Sequence, residues 1–367
     1  MSTPDSLPYR ASLDDYQRQA EALFTALQSG DEAAAWRFKW MHPLFRGKSV
    51  TDVRAATLDL ADAQLVVAHD YGFETWSDLA EFVGEVREGG PVERFESAVE
   101  AVVAGDVATL RAMLREHPEL PWARSTRRHH ATLLHYVAAN GVEGGRQKTP
   151  ANAVEVAKVL LDASAEVDAL AEMYDNKCTT MSMLVSSCHP AEAGLQAALA
   201  ETLLDHGAAL DGPGSAWQSA LMTALAFGYL PAAQALARRG ARVDNVAAAA
   251  GLGRVEDTAR LLAAADAPSQ HAAMALAAQH GHADVVKLLL DAGEDPDRYN
   301  PDGFHAHSTP LHQAVWSNHM EVVRLLVERG ARLDVRDTIY QSTPLGWAVY
   351  GGRTAIADYL RERGAPS

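Results

Sequence analysis

His305-Ala306-His307 places two imidazoles two positions apart. On an extended strand such side chains point the same way and can share a metal ion. No cysteine or acidic cluster completes a ligand set beside them, so neither a metal nor a cofactor is expected. Imidazole also titrates near neutral pH, where a proton shuttle works. If the protein is an enzyme, the groups for acid–base chemistry are His305, His307, His135, Tyr340 and Asp337. Asp337, Asp302 and Asp175 could orient a histidine or accept a proton, or they could be ordinary turn acids. Cys178 is nucleophilic only if its pKa is lowered, and Lys177 is the one basic residue beside it. The chain has no G-x-S-x-G, phosphate-loop or zinc-finger spacing. A second set is defined by its rings: Tyr174, Trp217, Tyr299, Phe304, His305, His307, His312, Trp316, Tyr340 and Trp347. Such side chains can anchor a protein partner or wall a small-molecule pocket.

Whatever these residues do, a repeating frame must position them. Ser308-Thr309-Pro310-Leu311-His312-Gln313-Ala314 is followed by Glu321 to Ala331, a run with apolar residues at helical spacing. Thr309 is suited to cap a helix and Pro310 to open it. Gly330, 21 positions after Thr309, is suited to close the second helix in a left-handed conformation. Thr343-Pro344-Leu345 repeats the start and Gly364 the end, again 21 positions apart. Ser219 and Gly240 do the same. Weaker copies start near Thr132, Thr179, Val246 and Ala273, and Phe95 to Leu114 reads as a cap-like unit.

This pattern resembles the ankyrin repeat: a turn, T-P-L-H-x-A, two short antiparallel helices and a closing L-L-x-x-G-A. The resemblance covers 91–367, in about eight units, some degenerate or with insertions. It implies an all-α solenoid of stacked helix-turn-helix pairs with hairpin tips. It also implies that the hairpin tips and first helices form a concave binding face, on which the ring-bearing residues gather. In the family the motif histidine, here His312 and His135, usually bonds hairpin backbone. The 299–307 segment departs most from the pattern, since Ala272 to Thr309 is 37 positions. Its role is open between the edge of a ligand site and a local plug that buries Phe304 and His307.

Residues 142–152 and 188–194 lengthen two interhelical turns and read as surface loops. Residues 1–90 break the repeat. Helices are expected from Leu13 to Leu27, Ala33 to Met41 and Val53 to Tyr71, with a fourth capped by Thr75 or Ser77. Tyr71-Gly72-Phe73-Glu74-Thr75-Trp76-Ser77-Asp78-Leu79 resembles a segment ahead of bacterial ankyrin arrays. This implies an N-terminal helical cap over the first repeat, since an uncapped end exposes apolar surface.

A formal net charge of −16 argues against nucleic acid, which needs a basic footprint. The exception is the run Arg124, Arg127, Arg128, His129 and His130, which reads as a solvated tip or an anion site. No apolar run reaches membrane-spanning length and no signal-peptide pattern opens the chain. With two cysteines, Cys178 and Cys188, a reduced cytoplasmic protein is expected. The expected function is recognition: a protein partner or small-molecule ligand on the concave face. The alternative is an enzyme using a His/Tyr/Asp/Trp-lined pocket on a small molecule.

Overall fold

The computed structural model describes residues 7–212 and 219–366. Helices joined by short turns make up almost all regular structure among these residues. The chain packs as two compact units, Met1–Gln218 and Ser219–Ser367.

The second unit is five helix pairs: Ala220–Ala226 with Leu230–Arg238, Val246–Gly251 with Val255–Leu262, Ala267–His280 with Ala283–Asp291, Pro310–Trp316 with Met320–Glu328, and Pro344–Tyr350 with Thr354–Glu362. Each first helix begins at a side-chain cap. Ser219, Asn245, Asp266 and Thr343 accept the backbone N–H three residues on, and Thr309 forms a reciprocal box with His312. Gly240 and Gly330 close their pairs at φ 97° and 91°, in the left-handed region expected of them. The first helices are thin on their buried faces (Ala250, Ala273, Ala277, Ala314, Ala348), so neighbouring pairs approach closely. Val285, Val286, Leu289, Val322, Val323, Leu326, Ile356 and Leu360 from the second helices complete one core.

Side-chain donors also bind one pair to the pair before it. His282 Nε2 bonds the Gly251 carbonyl at 3.0 Å, and His319 Nε2 the Gln279 carbonyl at 3.0 Å. Arg353, at the equivalent place in the last pair, donates to the Trp316 carbonyl at 2.9 and 3.1 Å. These carbonyls end helices and lack intrahelical partners.

The first unit starts with helices Leu13–Gln28, Glu32–Met41, Val50–Ala55, Leu60–Asp70 and Trp76–Arg87 around Tyr16, Phe38, Val66 and Phe82. The single helix expected over 53–71 is therefore two. Ala56 is extended, and Asp59 restarts the helix by accepting from Ala61 and Asp62 while Asp62 bonds back. Helix pairs follow at Pro91–Ala104 with Val107–Glu116, Leu133–Val137 with Ala153–Asp162, and Thr180–Leu184 with Gln196–Asp205. A two-residue hairpin pairs Ala171–Met173 with Asn176–Cys178, in register Ala171↔Cys178 and Met173↔Asn176. Its turn residues Tyr174 and Asp175 have φ of 53° and 59°, as a twist-matched tight turn requires.

The loop expected at 142–152 is not simply a surface excursion. Arg146 is buried and Glu143 nearly so. The basic run at 124–130 is also split. Arg124 and Arg128 are exposed, while Arg127 and His129 turn inward.

Candidate functional site

In the second unit, ring-bearing side chains from two successive turns and two first helices meet. His305 and His307 come from the long segment, Tyr340 from the next turn, Trp316 from helix Pro310–Trp316, and Trp347 and Tyr350 from helix Pro344–Tyr350. Ring centroids step from Tyr340 to His307 at 6.3 Å, His307 to Trp347 at 5.8 Å, Trp347 to Trp316 at 6.0 Å and Trp316 to Tyr350 at 6.5 Å. Four-residue helical spacing places Trp347 close to Ser342–Thr343, the cap of its own helix, and Tyr350 one turn further along. Tyr350 is 87% exposed, Tyr340 72% and Trp316 44%. Exposed Ile339 and Val349 extend the apolar area.

Asp337 holds this ladder in place. Its fully buried carboxylate accepts from the backbone N–H of Ile339, Tyr340 and Ser342 at 2.6–3.0 Å and from Trp347 Nε1 at 3.0 Å. Burial alone would raise its pKa, but these donors outweigh burial and hold it below the ordinary aspartate value. The carboxylate has no free lone pair aimed at a ligand; it shapes the turn and fixes one indole. The long segment is braced to the same turn, because Tyr299 Oη donates to the Arg336 carbonyl at 2.6 Å and Thr338 N to the His307 carbonyl at 2.9 Å.

His305 has φ 62°, so the 305–307 segment is not the extended strand that metal-ligand spacing assumed. The two imidazoles stand 6.1 Å apart at 79°. Among the described residues no group of three His, Cys, Asp or Glu side chains is placed to hold a metal ion. Phe304 turns inward and is 7% exposed. His312 is fully buried: Nδ1 lies 2.9 Å from Thr309 Oγ1, and Nε2 3.2 Å from the Ser342 carbonyl. His135 repeats this in the first unit, with Thr132 Oγ1 at 2.8 Å and the Cys178 carbonyl at 3.3 Å. Burial lowers the pKa of each to about 4, so both are neutral at pH 7. Cys178 is buried, and burial raises its pKa, so the thiol is held in its un-ionised form. Trp217 lies outside the described residues.

Tyr174 belongs to the first unit, where it is 67% exposed and donates to Asn140 Oδ1 at 2.7 Å. It sits at a cleft of about 990 Å³ bounded by Met41–Arg46, His69–Glu74, Gly141–Gln147 and the 172–177 hairpin. Beneath its wall lies a buried ion cluster that ring- and histidine-counting missed. Glu96, fully buried, bridges Arg127 Nη1 and, at 2.6 Å, Arg146 Nη1. Glu143 meets Arg127 Nε at 2.6 Å and Arg146 Nη1 at 3.2 Å. Burial would raise the Glu143 pKa; the Arg127, His129 and Arg146 charges reverse this and hold it well below the ordinary range. Arg127 also lies over the Phe82 and Phe73 rings at 4.6 and 5.3 Å, joining the first helix pair to the N-terminal helices. The one sequence signal was Glu96 itself, a carboxylate on the apolar side of Pro91–Ala104 between Phe95 and Ala98.

Comparison with known proteins completes the assignment. Ankyrin repeats match in three copies within residues 246–337 and 274–366. Human cyclin-dependent kinase inhibitor 2A is 34% identical over 122 residues, 32% of this chain and 76% of that protein. The chain belongs to the ankyrin-repeat family. Ankyrin repeat-containing protein P1E11.10 of Schizosaccharomyces pombe is 39% identical over 62 residues, 17% of this chain, and the chain spans 28% of that relative's length. The human ASB11 ankyrin repeat domain, a crystal structure, is similar at a TM-score of 0.39 and 20% identity, covering 74% of this chain and 98% of that one. In ankyrin terms, Thr309 and Thr343 start equivalent repeats, and the ring ladder runs across their turns and first helices. No described helix is long and apolar enough to cross a membrane.

Proposed function

We propose that the protein is a recognition module that holds a protein partner on the ring ladder of its second unit. The observation that carries this is exposure: Tyr340, Trp316 and Tyr350 are open to solvent in a row linked through His307 and Trp347, beside a turn that Asp337 holds. Aromatic anchors on a fixed frame lose little side-chain entropy on binding and dominate interface energetics. Acid–base catalysis is less well served, because Asp337 and His312 are committed to holding backbone and indole. We further propose that residues 91–367 act as one array of about eight repeats and that residues 1–90 cap it. The cap proposal is supported by Arg127 on Phe73 and Phe82, and by Tyr9 Oη, 2.8 Å from Ser97 Oγ. A soluble cytoplasmic setting fits the two free cysteines.

The test is quantitative capture of binding proteins with the full chain and with a Trp316→Ser/Tyr350→Ser variant, followed by titration of each purified candidate. A true partner binds the purified wild-type protein and loses at least ten-fold affinity on the variant, while melting is unchanged. If every reconstituted partner binds both proteins equally, the ladder is not the recognition face.

A further inference from the structure

Helix Glu32–Met41 and the turn after it carry a surface of a different kind. From Ala33 to Thr51 the chain has four basic residues, Arg37, Lys39, Arg46 and Lys48, and no acidic one. The formal net charge is −16, so the remainder carries −20. Arg37 is neutralised by Asp70. Lys39, Arg46 and Lys48 form no ion pair among the described residues. The helix buries Ala34, Ala35 and Phe38, and the turn buries His42 and Phe45. Its other side shows Trp36, half-buried, and Trp40, and Leu44 lies in the turn that follows extended His42. Trp40 is 61% exposed and Leu44 59%. The two indoles stack at 6.1 Å and 17°, and Lys39 Nζ lies 4.5 and 4.6 Å from their centroids.

We infer that this surface docks the protein reversibly on an anionic lipid bilayer. The indoles and the Lys39 ammonium are held against one another, and exposed Pro43 and Leu44 follow in the next turn of chain. These are the groups an interfacial anchor uses: cations among phosphates, indoles at the headgroup boundary, an aliphatic side chain below them. Lys39 lies over the indole faces that a protein pocket would grip, whereas a headgroup layer engages an indole by its edge and N–H. Physiological salt screens exposed charges beyond about 8 Å, so the acidic remainder of the chain opposes contact weakly. No spanning helix is involved.

The experiment is co-sedimentation of the full chain with vesicles of phosphatidylcholine alone or with 30% phosphatidylglycerol added. Binding is expected only to the anionic vesicles and falls with salt. Each cation removed lowers the partition roughly five-fold, so Lys39→Gln/Arg46→Gln/Lys48→Gln lowers it about a hundred-fold. Trp40→Ser/Leu44→Ser also abolishes it. All five positions are on the surface side of the fold, and unchanged melting curves certify the variants. Absence of sedimentation at 50 mM salt overturns the inference, as does binding that both variants retain. Soluble polyglutamate that binds with the same variant sensitivity, and as tightly as the vesicles, assigns the surface to an acidic protein instead and overturns it equally.

Discussion

Acidification should destabilise the repeats through histidines that carry no exposed charge. His135, His280 and His312 are at most 7% exposed. Burial pushes each pKa down to about 4, outweighing the carbonyl bonds from Nε2 that favour the charged form. For His135 and His312, Nδ1 also accepts the N–H of Thr132 or Thr309 at 3.2 and 3.4 Å, so a proton there would oppose the cap. The unfolded chain takes up protons near pH 6.5 and the folded chain only near 4, so stability is full above 6.5 and falls as the pH drops between these values. At pH 5 the loss is about 2 kcal/mol for each ring. His280 and His312 lie in the second unit, so about 4 kcal/mol of its stability should vanish between pH 7 and pH 5. The assay is urea unfolding at both pH values, fitted for two units rather than a single transition. His312→Gln is less stable at pH 7, but its loss between pH 7 and pH 5 should be smaller than wild type's by about 2 kcal/mol. An equal loss in both proteins would refute a neutral, buried imidazole at this position.

Four further outcomes follow from the geometry. Glu96→Gln leaves Arg127 and Arg146 with one buried carboxylate between them; it should cost about 3–5 kcal/mol in the first unit by urea titration. Asp337→Asn replaces a lone pair by N–H facing backbone donors; about 1–3 kcal/mol should be lost, with a changed near-ultraviolet signal from Trp347. Gly281→Ala adds a Cβ 2.5 Å from His319 Nδ1 at a residue with φ 79°. It should lower the melting temperature more than Gly330→Ala, whose added Cβ meets nothing within 4 Å. Removing residues 1–90 exposes the Phe95 and Arg127 neighbourhood and should give aggregation or fraying; a monomer of equal stability would make the region a separate module.

The frame was legible because it is local. Thr309 and Gly330, or Thr343 and Gly364, state the start and end of a helix pair within 21 positions, and caps and left-handed glycines depend on little beyond them. The break at Ala56–Asp59 was legible in principle too, since Asp59 and Asp62 have capping-box spacing, but the apolar residues on both sides suggested continuity. The ion cluster was not legible. Glu96 meets partners 31 and 50 positions away, and each arginine alone reads as a solvated residue of its loop.

Histidine shows most clearly why residue type underdetermines role. The chain has 15, and several occupy places where a repeat must satisfy a helix-end carbonyl or a cap. His282 and His319 cross to the preceding repeat, and Arg353 does the same job with a different side chain. What that position requires is an N–H donor of the right reach, which imidazole and guanidinium both supply. A titrating group is not required there, and burial removes titration from the neutral range for His135, His280 and His312. His307 differs because the long segment carries it into contact with Tyr340 and Trp347, while His305 beside it still bonds the helix-end carbonyl of Ala226. Spacing relative to the repeat therefore separates the two classes better than the identity of the residue. A histidine in register with the cap or the interhelical turn holds the stack together, and His307, displaced from register by an insertion, packs against aromatic rings instead.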